Sequence, residues 1–278
     1  MLSNFAGVLF DGIAYGCLLF VISIGLSVTL GLMNFINLAH GAFAMFGGYL
    51  CVTLMNALGV PFLLTLPLAF IGIAIVGGFL EVSLFRRLYS VSHLDQVLFS
   101  IGFNFIALAA AIYAWGPSQQ PVLLPSYLSG QVEFLGINFG VYRLFLIGVV
   151  AIITVVLAYL VARTRFGAMI RASVDNGQAA AGLGINVSRV FNVTFALGSG
   201  LAGIGGGLGI PILGLDPNFA LQFLVYILLV VTVGGAGSMA GTFWASITLG
   251  VIDTAGKYYV PEIGGFVIYF AMIVLLLL

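Results

Sequence analysis

From Gly12 to Leu80 the chain runs for 69 residues without a single Lys, Arg, Asp or Glu. A helix or sheet in water needs a polar face, and this run cannot supply one. It is also far too long for a signal peptide, whose apolar region covers about 7–15 residues. At roughly 20 residues per crossing it holds three transmembrane helices joined by short turns. The rest of the chain is built alike, with 62% hydrophobic and only 6% charged residues, where a soluble domain carries about 25% charged. Mean hydropathy is +1.26. Lipid is therefore the solvent. Backbone groups in lipid must be satisfied within the protein, which leaves helices or a closed barrel, and the alternation of a barrel strand is absent. The expected fold class is an all-α, polytopic integral membrane protein, with a single transmembrane domain over residues 1–278.

Apolar runs at 8–30, 34–56, 62–85, 96–115, 143–162, 190–210, 222–253 and 263–278 predict about eight crossings. Pro61 and Pro117 fall at predicted helix ends, where proline is best tolerated. The 222–253 run is too long for one straight span and too short for two. In its middle lies the glycine-rich GGAGSMAG, with Gly234, Gly235, Gly237, Ser238 and Gly241. A broken span and a re-entrant hairpin both fit, because non-helical backbone at depth is tolerated when enclosed by protein or lining a cavity. The last run stops at Leu278 without a polar tail, which leaves open whether a native C-terminal tail is missing.

Charge orients the chain. Four of the eight basic residues fall in RTRFGAMIRASVDNGQAAAGLGINVSR, from Arg163 to Arg189. A Lys/Arg excess marks the cytoplasmic side, as it does for the loop holding Arg86, Arg87 and His93. Two crossings separate these loops, so the assignments agree. The 117–142 stretch is then external, with Trp115, Tyr127 and Tyr142 suited to an aromatic belt. Within the basic loop, Ser173 can cap a short helix with Asp175 in its first turn, Gly184 can end it, and Asn186 or Ser188 can cap the next span. A capped helix at the membrane face suggests docking of a partner, although orientation alone would also explain the charge.

Residues 34–48 are the most polar intramembrane stretch. Asn37, Gly41, Ala44 and Gly48 recur at helical spacing, with His40 and Gly47 beside them. This face could line a translocation path. Alternatively it is a helix contact, with Asn34 capping the second span and His40 only about 9 Å below the surface. Gly198, Ala202, Gly205 and Gly209 form another small-residue face, read as close helix packing. Gly198-Ser-Gly-Leu-Ala-Gly203 matches a dinucleotide fingerprint but lacks the preceding strand. NFINLAHGAFAMFGGYLCVTLM and VGGAGSMAGTFWASITLGVIDT faintly echo one another, as interrupted segments of two transporter halves can.

No Gly-x-x-x-x-Gly-Lys-Ser/Thr and no His-Glu-x-x-His occurs, and the acids are scattered toward span edges. No catalytic site, metal or cofactor is expected, and the sequence does not read as an enzyme. Cys17 and Cys51 read as small buried hydrophobes. A formal net charge of zero argues against a nucleic-acid partner.

GLMNFINLAHGAF at Gly31–Phe43, RASVDNGQAAAGLGINVSRV at Arg171–Val190 and GGAGSMAGTFWASITLGVID at Gly234–Asp253 together resemble the permease subunits of bacterial branched-chain amino-acid ABC importers, of the LivH type. The resemblance covers nearly the whole chain. It implies a multi-pass permease of the bacterial inner membrane that forms a path for leucine, isoleucine and valine. It also implies pairing with a LivM-type permease or a second copy, two cytoplasmic ATPase subunits and an external solute-binding protein. Carried over by position, ATPase coupling falls on Arg171, Asp175, Ala179, Ala180, Gly182 and Gly184. A glutamate often found before the alanines is Gln178 here, and the polar Arg-Pro-x-Gly stretch that usually follows in the family is absent. Permeases for urea, short amides or other amino acids are similar. An ion-coupled secondary transporter is the alternative from another class.

Overall fold

The computed structural model describes residues 2–33, 35, 37–122, 124–134 and 137–277. Eleven helices carry the fold. They are α1 (Leu2–Met33), α2 (His40–Leu58), α3 (Phe62–Ser83), α4 (His93–Trp115), α5 (Val141–Arg163), α6 (Arg165–Asp175), α7 (Gly177–Gly182), α8 (Val187–Leu213), α9 (Phe219–Gly234), α10 (Met239–Tyr259) and α11 (Gly264–Leu277). Six of them, α1 to α5 and α8, are long and apolar enough to cross a membrane, while α9 and α11 are apolar but shorter. The chain is a multi-pass helical membrane protein.

Helix α8 is the axis. Its residues from Gly198 to Gly203 and Gly205 to Ile210 are buried, and α1, α2 and α3 all pack on it. Glycine permits this, because in lipid helices associate through close backbone approach and not through hydrophobic exclusion. A Cβ on Gly206 would overlap the carbonyl oxygen of Ala44, one on Gly47 the backbone of Gly203, and one on Gly25 the backbone of Gly198. The glycine face at 198–209 is thus a packing surface, as its spacing indicates. By contrast, α5 exposes Ile152, Val155, Val156 and Tyr159, as expected of a helix facing lipid.

The start of the second helix differs from expectation. The helix begins at His40, not near residue 34, because Asn37 turns the chain just before it. Its Oδ1 accepts from the Ala39 N–H at 3.1 Å, and its carbonyl accepts from the His40 N–H at 3.3 Å. Asn37 therefore precedes the helix, and only Gly41, Ala44 and Gly48 share its face. The 222–253 run resolves into a helical hairpin. Gly235 and Gly237 take φ of 80° and 82°, which only glycine adopts readily, and reverse the chain between α9 and α10. Gly234 then packs on Gly241 and Thr242. One further element escaped the helical reading: a β-hairpin of β1 (Gln131–Phe134) and β2 (Ile137–Gly140), paired antiparallel with Gln131 opposite Gly140. Phe139 of β2 meets Phe10 of α1 edge-on at 4.7 Å between ring centres.

Gly206→Val should lower the yield and thermal stability of the protein in detergent by at least the ~1–3 kcal/mol typical of overpacking, since backbone blocks the new side chain. Gly102→Val, at a position with open space around it, should leave both unchanged.

Candidate functional site

The polar segment before α2 lies deep in the bundle. His40 Nε2 is 3.0 Å from the Ile22 carbonyl, and Ile22 sits about three helical turns inside the end of α1. The residues just before α2, 37–39, thus lie inside the protein. Phe35, Asn37 and Ala39 are buried, and Asn104 Nδ2 donates to the Leu38 carbonyl at 2.9 Å. Irregular backbone at this depth is possible only when enclosed and bonded in this way. Gly41 lies against the Ala220 carbonyl at the start of α9, Ala44 against Gly206, and Gly48 against Leu215. Asn34 lies outside the described residues.

The glycine-rich turn of the α9–α10 hairpin rests on α1. The Gly237 N–H donates to the Ser27 carbonyl at 2.9 Å, and Thr242 Oγ1 donates to Ser27 Oγ at 2.7 Å. Ser238 caps α10 by accepting from the Gly241 N–H at 3.0 Å. Gly31 and Gly237 touch backbone to backbone, with no side-chain bulk between the turn and α1.

The basic stretch forms an elbow of two helices, α6 and α7. Thr164 caps α6 through Gly167, and Asn176 caps α7 through Ala179. Ser173 is accordingly not a cap. It is buried inside α6, and Asp175 is the last residue of that helix rather than part of a first turn. Asparagine 176 takes the cap because it follows the end of α6 with extended backbone, φ −157° and ψ 95°. Gly184, with φ of 87°, ends the elbow, and the Ile185 N–H returns to the Ala180 carbonyl at 3.0 Å, closing a glycine-type helix end. Asn186 caps α8 through the Arg189 N–H. Ala180 is buried, whereas Asp175, Ala179, Gly182 and Gly184 are exposed and Leu183 is 83% exposed. Arg171 is exposed, yet its guanidinium donates to the Val161 carbonyl near the end of α5. Arg171 and Asp175 also line a cavity of about 260 Å³ together with Gly31 and Gly237. The structure therefore brings the elbow and the glycine turn side by side, while Gly41, Ala44 and Gly48 pack elsewhere.

One site was missed by sequence reasoning. Glu81, with its side chain fully buried, accepts from Arg86 Nε at 3.1 Å and Nη2 at 2.7 Å, from Tyr89 Oη at 3.0 Å and from Asn192 Nδ2 at 2.7 Å. The carboxylate raises the Arg86 guanidinium above its ordinary value, chiefly by hydrogen bonding. Burial, and then Glu81, push the Tyr89 hydroxyl up as well. This cluster ties the end of α3 to α8 and places the loop of Arg86 and Arg87 beside the base of the elbow. The five-residue spacing of Glu81 and Arg86 was the available signal, but Asn192 lies more than a hundred positions away. Among the described residues no cluster of His, Cys, Asp or Glu could hold a metal ion.

A glycine-packed helical membrane protein with buried interrupted segments and a capped elbow at one face is a membrane transport subunit. The chain belongs to the family of branched-chain amino acid transport system permease components, whose model matches residues 8–276. It is 27% identical to the probable branched-chain amino acid transport permease protein LivH of Methanocaldococcus jannaschii, over 98% of this chain and 88% of that one. It is 24% identical to the high-affinity branched-chain amino acid transport permease BraD of Pseudomonas aeruginosa, over 97% of this chain and 92% of that one. The LivH permease of Escherichia coli is 26% identical over the same shares. No solved structure matches the chain.

Glu81→Ala should lower the thermal stability of the purified protein by about 1–3 kcal/mol, the usual worth of hydrogen bonds to a charged group. Glu133→Ala, on the exposed face of β1, should leave it unchanged, and a thermal melt in detergent compares the two.

Proposed function

We propose that this chain is a permease subunit of an ATP-driven importer of branched-chain amino acids in a bacterial inner membrane. It pairs with a LivM-type permease or a second copy. Two cytoplasmic ATPase subunits dock on the elbow, and an external solute-binding protein delivers the substrate. ATP hydrolysis belongs to the separate subunits. The observation that carries this reading is the elbow itself, capped by Thr164 and Asn176 and exposing Ala179, Gly182 and Leu183. Nothing in a bilayer requires such an element, but a partner surface does. Its contact with the glycine turn at Gly237 gives a docked ATPase a route into the bundle. Sidedness follows from the basic residues: the Asn192–Glu81 bond sets the Arg86–Arg87 loop and the elbow at one end, the cytoplasmic one.

Gly182→Pro and Asp175→Arg should each abolish uptake in vesicles while insertion and abundance stay normal. The proline removes a helix donor and clashes with the preceding turn, at a cost of about 3 kcal/mol. Normal uptake by both variants would reject docking at the elbow. Single cysteines at 126–131 should label from outside intact cells, and those at 173–178 only after the membrane is opened. Labelling of position 175 by an impermeant reagent in intact cells would reverse the topology.

A further inference from the structure

At the end of the bundle opposite the elbow lies a cavity of about 480 Å³, within the ~300–1,000 Å³ range of small-molecule sites. Two ion pairs line it. Arg143 Nη1 meets Asp11 Oδ1 at 2.9 Å, and Lys257 Nζ meets Asp253 Oδ2 at 2.6 Å. Charged side chains within a bundle of membrane-spanning helices are costly and point to function, and here four converge on one space from α1, α5 and the neighbouring α10.

The Asp253 carboxylate stands out. The residue is 1% exposed, it lines the cavity, and its Oδ1 has no hydrogen-bond partner. A buried carboxylate oxygen left unpaired is expensive, and a ligand that donates to it recovers that cost. Arg143 meets Asp11 through one nitrogen and is 42% exposed, while a guanidinium carries five donors in a planar fork suited to a carboxylate. The cavity thus offers an acceptor for a cation and a donor fork for a carboxylate, with its fixed charges balanced. A zwitterion matches this pattern, whereas a lone cation, a lone anion or a neutral urea or amide matches only part of it. Ile212, Leu213 and Phe223 form its aliphatic and aromatic wall, beside Tyr15, Tyr226 and Tyr258, and suit an apolar side chain.

We propose that this cavity is a binding site of the permease itself for a zwitterionic, aliphatic amino acid, with the α-ammonium on Asp253 and the α-carboxylate on Arg143. The inference rests on the importer reading and adds to it that the membrane subunit itself selects for both charged ends of the substrate. By the sidedness above, the site opens at the external end, where a binding protein would release its cargo.

The test uses the assembled transporter in nanodiscs, without the solute-binding protein, carrying Thr254→Cys at the cavity wall. Cys17 and Cys51 are buried and compete little for a maleimide. Millimolar leucine should slow labelling of position 254, while urea and acetamide should not. Leucinamide and N-acetyl-leucine, each lacking one charge, should protect at concentrations about ten- to a hundredfold higher, as expected for one lost hydrogen bond to a charged group. Arg143→Gln should erase the preference for leucine over leucinamide, and Asp253→Asn the preference for leucine over N-acetyl-leucine. A merely structural pair would instead change the labelling rate without ligand and leave both preferences intact. No protection by leucine, or equal protection by urea, overturns the site. Leucine uptake by the same complex in proteoliposomes with its binding protein separates the two claims. Uptake without protection removes the site and keeps the importer reading, whereas absence of leucine uptake from the intact system removes both.

Discussion

The contact on which the rest of this structure depends is backbone against backbone, along the glycines of α8. Gly198 lies on Gly25 of α1, Gly203 on Gly47 of α2, and Gly206 on Ala44 of α2. Lipid provides no hydrophobic drive for helices to associate, so their association relies on van der Waals contact at short range and on polar bonds. Removing side chains from one helix lets its neighbours come close enough to enclose polar, irregular chain. Phe35 and residues 37–39 lie at depth for this reason. With α1, α2 and α4 packed around it, His40 can reach the Ile22 carbonyl and Asn104 the Leu38 carbonyl. Spread the helices apart and those groups would face hydrocarbon, where each unsatisfied one costs several kcal/mol.

The same close packing joins the two ends of the molecule. Helix α10 begins at the Ser238 cap beside the elbow and passes Asp253 and Lys257 near its far end. Its 21 residues make a rod about 31 Å long. Antiparallel α1 lies along it, with Gly12 on Val251, Gly16 on Ile247 and Gly31 on Gly237. Small residues along this seam bring the two backbones into direct contact. The Ser27–Thr242 and Ser27–Gly237 bonds hold their register at the elbow end.

Much of this was legible in the sequence, and what was not has definite causes. Membrane character and helical class follow from the uncharged 69-residue run, and the packing role of 198–209 follows from its glycine spacing. Cap positions misled where several candidates stood close together. Ser173, Asn176 and Asn186 are all good cap residues, and only the geometry of α6 shows that the first lies inside a helix. At α2 the sequence offers Asn34 as the cap. Asn37 bonds its own neighbour Ala39 and so moves the start of α2 to His40. The hairpin at Gly234–Gly241 stayed open between two readings because its direction depends on contacts with Ser27 and Gly31, more than two hundred positions away. The Glu81 cluster and the charged cavity were only partly legible for a similar reason: Glu81 with Arg86 and Asp253 with Lys257 are close in sequence, but Asn192, Asp11 and Arg143 come from distant helices.

The distribution of polar chemistry also bears on how the protein is driven. Within the bundle the polar pins join hydroxyl, imidazole and amide groups to one another or to backbone: Ser27 with Thr242, His40 with a carbonyl, Asn104 with a carbonyl. The charged groups gather toward the two ends, with Glu81 and Arg86 beside the elbow and Asp11, Arg143, Asp253 and Lys257 around the opposite cavity. A carrier that draws its energy from an ion gradient needs a titrating or coordinating group that the ion meets on its way across. A subunit driven from outside the membrane needs something else: a firm place to receive force, a stiff path to transmit it, and a site whose affinity that motion can change. Thr164 and Asn176 cap the two helices of the elbow, α1 and α10 pack along one another, and two ion pairs stand at the opposite end. Moving α10 relative to α1 and α5 would change the distance between Asp253 and Arg143, and a zwitterion held at both ends is sensitive to that distance.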